Sequence, residues 1–269
     1  MKKRRAITIY RHRERPAMAG GPQGSGKDHY KSDKTALDKL LKIAPKLSVA
    51  VSENRAFLGR AVTVASQLGT RQFLNLGSDL PTLDGISVTD IARRYHSDAR
   101  VVYVDPAEQV AAHGRVLRAR DSGVLIVHED ARGPDQVLRA AAELLDFRKP
   151  ICLIATAVAH FWSDEDNPAH ILHHYMGAFP AGHLILSHAC GEEMSSENFR
   201  AACEEAFAPI YPRSQAEISN LLEGLTLLKP GLVEASQWRD IRKVDVGEAY
   251  FLAAVAKIGG DGQLRREPA

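Results

Sequence analysis

The chain has 269 residues, a formal net charge of +2 and 45% apolar residues, enough for a substantial core, which excludes a polypeptide disordered throughout. Three widely spaced cysteines, Cys152, Cys190 and Cys203, fit neither a disulfide framework nor a zinc site and read as reduced packing residues. No apolar run approaches the roughly 18 residues of a transmembrane helix, so a soluble, cytoplasmic protein is expected.

Residues 1–19 form a basic arm in which Lys2, Lys3, Arg4, Arg5, Arg11, Arg13 and Arg15 face only Glu14. Ile7 to Tyr10 is too short for the apolar core of a signal peptide, and Met18 offers a second start. No aromatic interleaving follows, so a flexible solvated arm is expected rather than a nucleic-acid or membrane contact.

Residues 20–69 are expected to form a helical lid and the first helix. Gly21-Pro22-Gln23-Gly24-Ser25-Gly26-Lys27 has the spacing of a P-loop, but Asp28 stands where the magnesium ligand would be and no buried strand precedes it. ATP binding is therefore not expected. Ser32 can cap a helix carrying Leu37, Leu40, Leu41 and Ala44, which Pro45 ends. A longer helix from Glu53 to Leu68 carries Phe57, Ala61, Val64, Ala65 and Leu68 on one stripe and stops at Gly69.

From residue 70 to about 260, short apolar runs alternate with amphipathic stretches. The runs are Phe73–Leu76, Arg100–Val104, Val124–Val127, Ile151–Val158 and His183–Ser187. That alternation predicts a doubly wound α/β domain with a mostly parallel, seven-stranded, Rossmann-like sheet. Pro106 and Pro168 mark helix starts, and Ser214 with Glu217 forms a capping box. The segments Leu225–Leu228, Leu232–Ala235 and Ala249–Ile258 are linked too briefly for a crossover helix, so the sheet should end in an antiparallel pair. Residues 261–269 read as a tail.

The segment Phe73-Leu74-Asn75-Leu76-Gly77-Ser78-Asp79 is a buried strand running into a glycine turn, and a second strand ends in Tyr103-Val104-Asp105-Pro106. Ligands of open α/β sheets bind beyond the carboxyl ends of the strands, where glycine admits close backbone approach and an acid accepts from ribose hydroxyls. A third strand ends in His128-Glu129-Asp130-Ala131, where Asp130 can accept from an adenine amino group while a backbone N–H donates to the ring. Three strand tips thus point to one adenosine.

With Gly26-Lys27-Asp28-His29-Tyr30, Glu53-Asn54-Arg55-Ala56-Phe57-Leu58, Gly77-Ser78-Asp79-Leu80-Pro81-Thr82, Val101 to Asp105 and Leu228 to Val233 with Trp238-Arg239, the chain resembles the class I S-adenosylmethionine-dependent methyltransferases. Within them it is similar to the actinobacterial S-adenosyl methyltransferase family, a former domain of unknown function. The resemblance runs from about Gly20 to Ile258 and implies S-adenosyl-L-methionine as cofactor. It implies cofactor contacts at Tyr30, Arg55, Asn75, Gly77, Ser78, Asp79, Asp105, Pro106, Asp130, Ala131 and Thr156. The usual first motif is Asp-x-Gly-x-Gly; here Asn75 replaces the acid and Asp79 the second glycine, so Asp79 is expected to restore negative charge near the methionine ammonium.

The stretch His160-Phe161-Trp162-Ser163-Asp164 also looks like the His-x-Trp-x-Asp segment of small-molecule O-methyltransferases, which makes His160 the candidate general base. Trp162 and His188 are candidate substrate contacts. The expected enzyme methylates an oxygen or nitrogen of a small molecule, such as a secondary metabolite, without a metal and as a possible homodimer. Two rivals stand beside it, an NAD-dependent oxidoreductase and a non-catalytic S-adenosylmethionine-binding regulator.

Overall fold

Strand by strand, successive apolar side chains enter two different cores, because neighbouring residues of a strand point to opposite faces of the sheet. In β1 (Gln72–Leu76), Phe73 joins one core and Leu74 and Leu76 the other; in β2 (Arg100–Val104), Val101 and Tyr103 oppose Val102 and Val104. Both faces are apolar, so both must be covered. The computed structural model describes residues 39–77, 87–106, 121–206, 208–240, 242 and 250–259. The expected basic arm, the P-loop-like segment, the start of the lid, the helix after Pro106 and the tail lie outside them.

One face is covered by α1 (Leu47–Gln67), α2 (Val88–Arg93) and α6 (Glu197–Ala206), and the other by α3 (Pro134–Ala141), α4 (Pro168–Gly177) and α7 (Gln215–Leu221). The remaining elements are β3 (Val124–Val127), β4 (Ile151–Thr156), β5 (Gly182–Ala189), the short α5 (Glu192–Ser195), β6 (Thr226–Leu227), β7 (Val233–Glu234) and β8 (Phe251–Ile258). Local chemistry sets the helix starts. Ser214 and Glu217 cap α7 reciprocally as expected, and Ser87 and Asp90 do the same for α2. Pro168 opens α4, whose preceding Asn167 accepts from the His170 N–H at 3.2 Å.

The sheet runs β3-β2-β1-β4-β5-β8-β6, with β7 also beside β8. The first five strands are parallel, and β8 enters antiparallel to β5 from Gly182↔Ile258 to Ala189↔Phe251. Among the described residues there are eight strands where seven are expected. Both β6 and β7 pair with β8, at Thr226↔Lys257 and Val233↔Ala253, and Lys229-Pro230-Gly231 stands between them. Proline cannot donate to a ladder, so the outermost strand is split in two.

Two expected boundaries move. The first long helix begins at Leu47 rather than Glu53, which puts Glu53 and Asn54 on its buried side. At its other end Leu68 lies past the last helical residue and is 57% exposed, while Gly69 takes the left-handed conformation that ends the helix (φ 94°). Helix α1 is also pinned from outside the sheet. Arg60 donates to the carbonyls of Trp238 (2.8 Å) and Ala235 (2.7 Å) and to the Asp240 carboxylate (2.9 Å). The fully buried Trp238 ring meets Phe57 edge-on at 5.4 Å between centroids. Replacing it with alanine should cost about 3 to 5 kcal/mol, read as a shift of the urea midpoint. A loss below about 1 kcal/mol would show that Trp238 does not anchor α1.

Candidate active site

Parallel pairing brings four strand tips to one edge. Leu76 pairs with Val104 and Val104 with Val127, so the residues that follow, Gly77, Asp105 and His128, leave the sheet side by side. On the other flank of β1, Asn75 pairs with Ile154, two residues before Thr156 ends β4. At this edge lies a cavity of about 350 Å³. Its wall includes Arg55, Asn75, Gly77, Pro106, Asp130, Ala131 and Thr156, seven of the expected cofactor contacts. Trp162, an expected substrate contact, also lines it. Asp105 does not: its side chain is fully buried next to Pro106, with its N–H donating to the Val127 carbonyl at 3.0 Å. Tyr30, Ser78 and Asp79 lie outside the described residues.

The two histidines expected at the chemistry are elsewhere. The His160 ring is 3% exposed, packed among Phe161, His188 and Phe251, and its Nδ1 accepts from the Ala189 N–H at 3.3 Å. His188 is fully buried, with Nδ1 donating to the Ala189 carbonyl at 2.8 Å and Nε2 accepting from Arg213 at 3.0 Å. Neither lines the cavity. A short 3₁₀ turn at Ala159–Phe161 carries the His160 ring into the seam between β4 and β5, away from the cavity wall.

Arg213 organises that seam. Only 7% exposed, it also donates to the carbonyls of Ala159 (3.3 Å) and Trp162 (3.0 Å) and to the Asp164 carboxylate (2.6 Å). One guanidinium thus holds the loop carrying Phe161, Trp162 and Ser163, all on the cavity wall, against β5.

A second arginine, absent from the expected site, knits the wall at the tip of β3. Arg132 donates to Asp130 through Nε at 3.0 Å and reaches Asp166 at 3.4 Å, and Asp166 in turn accepts from the Ser163 N–H at 2.8 Å. Hydrogen bonding to Asp130 raises the Arg132 pKa. The Tyr175 hydroxyl donates to the Ala131 carbonyl at 2.8 Å, which fixes the backbone between them. Arg132 was detectable as the residue two past a strand-end acid, a spacing at which side chains commonly pair across a turn. Tyr211 joins the wall from the far loop, its N–H donating to the His160 carbonyl at 2.7 Å, and no local signal marks it.

A family model described as S-adenosyl methyltransferase matches residues 23–259. The chain belongs to this family. A DUF574 family protein from Streptomyces avermitilis MA-4680 has 29% sequence identity, covers 87% of this chain and 93% of its own, and superposes with a TM-score of 0.77. A protein of Thermobifida fusca YX assigned as a methyltransferase has 28% identity, covers 87% and 91%, and has a TM-score of 0.78. No curated protein matches the sequence. The enzyme is an S-adenosylmethionine-dependent methyltransferase.

The residues present fit the cofactor of an S-adenosyl methyltransferase. Gly77 has φ 65°, and a Cβ there would stand 2.6 Å from Val158 Cγ2, so a side chain in the turn after β1 would be strained and would force Val158 to shift. Its backbone faces the cavity. Gly77→Ala should cost about 1 to 2 kcal/mol in backbone conformation alone and displace Val158 from the wall. Calorimetry should then find S-adenosylhomocysteine binding lost from a protein that still folds; undiminished binding would remove Gly77 from the site.

The buried histidines also set the methyltransferase's acid sensitivity. Burial, reinforced by the Arg213 charge, pushes His188 from 6.5 to about 4, and burial holds His160 well below its ordinary value. Between pH 6.5 and 4 the unfolded chain binds the proton that folded His188 refuses, so stability rises with pH across that window and falls on acidification. The His188 contribution is up to about 3 kcal/mol. Urea titrations from pH 4 to 8 should show a shallower slope for His188→Gln than for the wild type, and parallel slopes would exclude His188 as the titrating group.

Proposed function

We propose that the enzyme transfers a methyl group to an oxygen or nitrogen of a small molecule, with secondary metabolites a fitting acceptor class. The observation that carries this reading is one continuous cavity whose wall runs from the tips of β1 to β4 to an aromatic side made by Phe161, Trp162 and Tyr211. Its volume of about 350 Å³ falls in the range that accepts small ligands. When bound, S-adenosylmethionine supplies a methyl group already activated by its sulfonium.

The protein's own work is alignment and exclusion of water. Asp130 and the Ala131 backbone receive the adenine at the tip of β3, and the β2 tip at Pro106 receives the ribose, with the Asp105 carboxylate buried behind it. Gly77 meets the methionine side, with Arg55 toward its carboxylate; Ser78, Asp79 and Tyr30, expected at the same end, lie outside the described residues. The aromatic side packs against the acceptor. Glu165, an exposed carboxylate on the same wall, offers a proton acceptor outside the Arg132 pairings.

Thermal unfolding with S-adenosylhomocysteine and with NAD separates this reading from a dinucleotide oxidoreductase. The former should stabilise the protein by about 2.7 kcal/mol at a hundredfold excess over its dissociation constant, and NAD should not. Transfer of label from methyl-labelled cofactor to a panel of small hydroxyl and amine compounds then tests catalysis. Stabilisation by NAD alone would overturn the reading, and tight cofactor binding with no transfer to any compound would favour a regulator.

A further inference from the structure

We infer that Asn54 receives the ammonium of the cofactor's amino-acid end, beside Arg55 at its carboxylate. The inference rests on the proposed placement of the cofactor and extends it to a residue outside the expected site. Asn54 is 3% exposed yet lines the cavity, and its carboxamide oxygen is buried without a hydrogen-bond partner among the described residues. Buried polar atoms are almost always satisfied, so an unsatisfied one on a residue that lines a cavity points to a donor supplied by a ligand.

The side chain cannot escape this demand by turning outward. Arg60 fixes the rotation of α1 through Trp238, Ala235 and Asp240, and Glu53, the residue before Asn54, is held by Arg242 at 3.2 Å. With those faces committed, Asn54, Arg55 and Leu58 are left facing the cavity.

The position along the sheet selects which part of the ligand Asn54 meets. Helix α1 packs on β4, β5 and β8, whereas Asp130 follows β3 at the opposite edge. An adenosyl group with its base at Asp130 and its ribose at the β2 tip extends past Gly77 toward α1. The group at that end carries both charges of an amino acid. Adjacent residues of opposite hydrogen-bonding character answer it: a guanidinium that only donates, and a carboxamide oxygen that accepts.

The test compares S-adenosylhomocysteine with 5′-methylthioadenosine, which keeps the adenosine and sulfur but lacks the amino-acid arm. Calorimetry on Asn54→Leu should show S-adenosylhomocysteine bound about tenfold to a hundredfold more weakly, with methylthioadenosine changed by less than about twofold. Asn54→Asp should keep or increase the wild-type preference for S-adenosylhomocysteine, because a carboxylate still accepts from an ammonium. Equal weakening of both ligands, or of neither, overturns the inference. If the leucine variant does not fold, Asn54→Asp decides alone: a preference at least as large as wild type supports the assignment, and a smaller one overturns it. Failure of the wild type to bind S-adenosylhomocysteine would instead reject the cofactor placement itself.

Discussion

Parallel hydrogen bonding among five strands forces their carboxyl ends to one edge, and the site follows from that constraint. The order β3-β2-β1-β4-β5 reverses direction between β1 and β4, where the connections leave to opposite faces and a crevice must open. Both strands bounding it turn through the left-handed region on leaving the sheet, at Gly77 (φ 65°) and Ala157 (φ 50°). For glycine that conformation is cheap; for alanine it is strained and must be held. Ser187 on β5 holds it, accepting the Ala157 N–H through its carbonyl at 3.0 Å and its hydroxyl at 3.1 Å. The backbone at the crevice is set by its neighbours before any ligand arrives.

Two arginines then shape the walls. Arg213, nearly buried, gathers two carbonyls, a carboxylate and an imidazole from the segment after β4 and from β5, and Arg132 bridges the turn after β3 to Asp166 ahead of α4. Because a guanidinium presents several donors in a fixed plane, each can tie loops that share no secondary structure. The histidines of the β4–β5 seam are neutral partners in this scaffold, which is why burial depresses their pKa values instead of tuning them for proton transfer.

Much of this was legible in the residues. Continuous apolar runs such as Val101–Val104 announced strands covered on both faces, and strand-end residues such as Gly77 and Asp130 announced the crevice, because both signals are local. The antiparallel ending was legible from the shortness of its connections. Arg213 and Tyr211 were not, since their roles depend on which loops tertiary packing brings within reach. The place of the His160 ring was hidden for the same reason: its sequence neighbours suit a site wall, but a single 3₁₀ turn decides whether the ring or Phe161 faces the cavity, and Phe161 does. Asn54 escaped because a polar residue at the expected start of a helix reads as a solvated end, whereas α1 begins six residues earlier and carries Asn54 in its interior on the stripe of Phe57 and Ala61.

The split of the outermost strand reaches beyond the site. Among the described residues, the sheet's margins are the four-residue β3 on one side and the two-residue β6 and β7 on the other. A long open margin would offer a row of unsatisfied amides on which another chain could add a strand. Here the long strand β8, next to the margin, is screened by two short pieces with a proline between them, so the molecule carries in its own backbone a guard against templated aggregation.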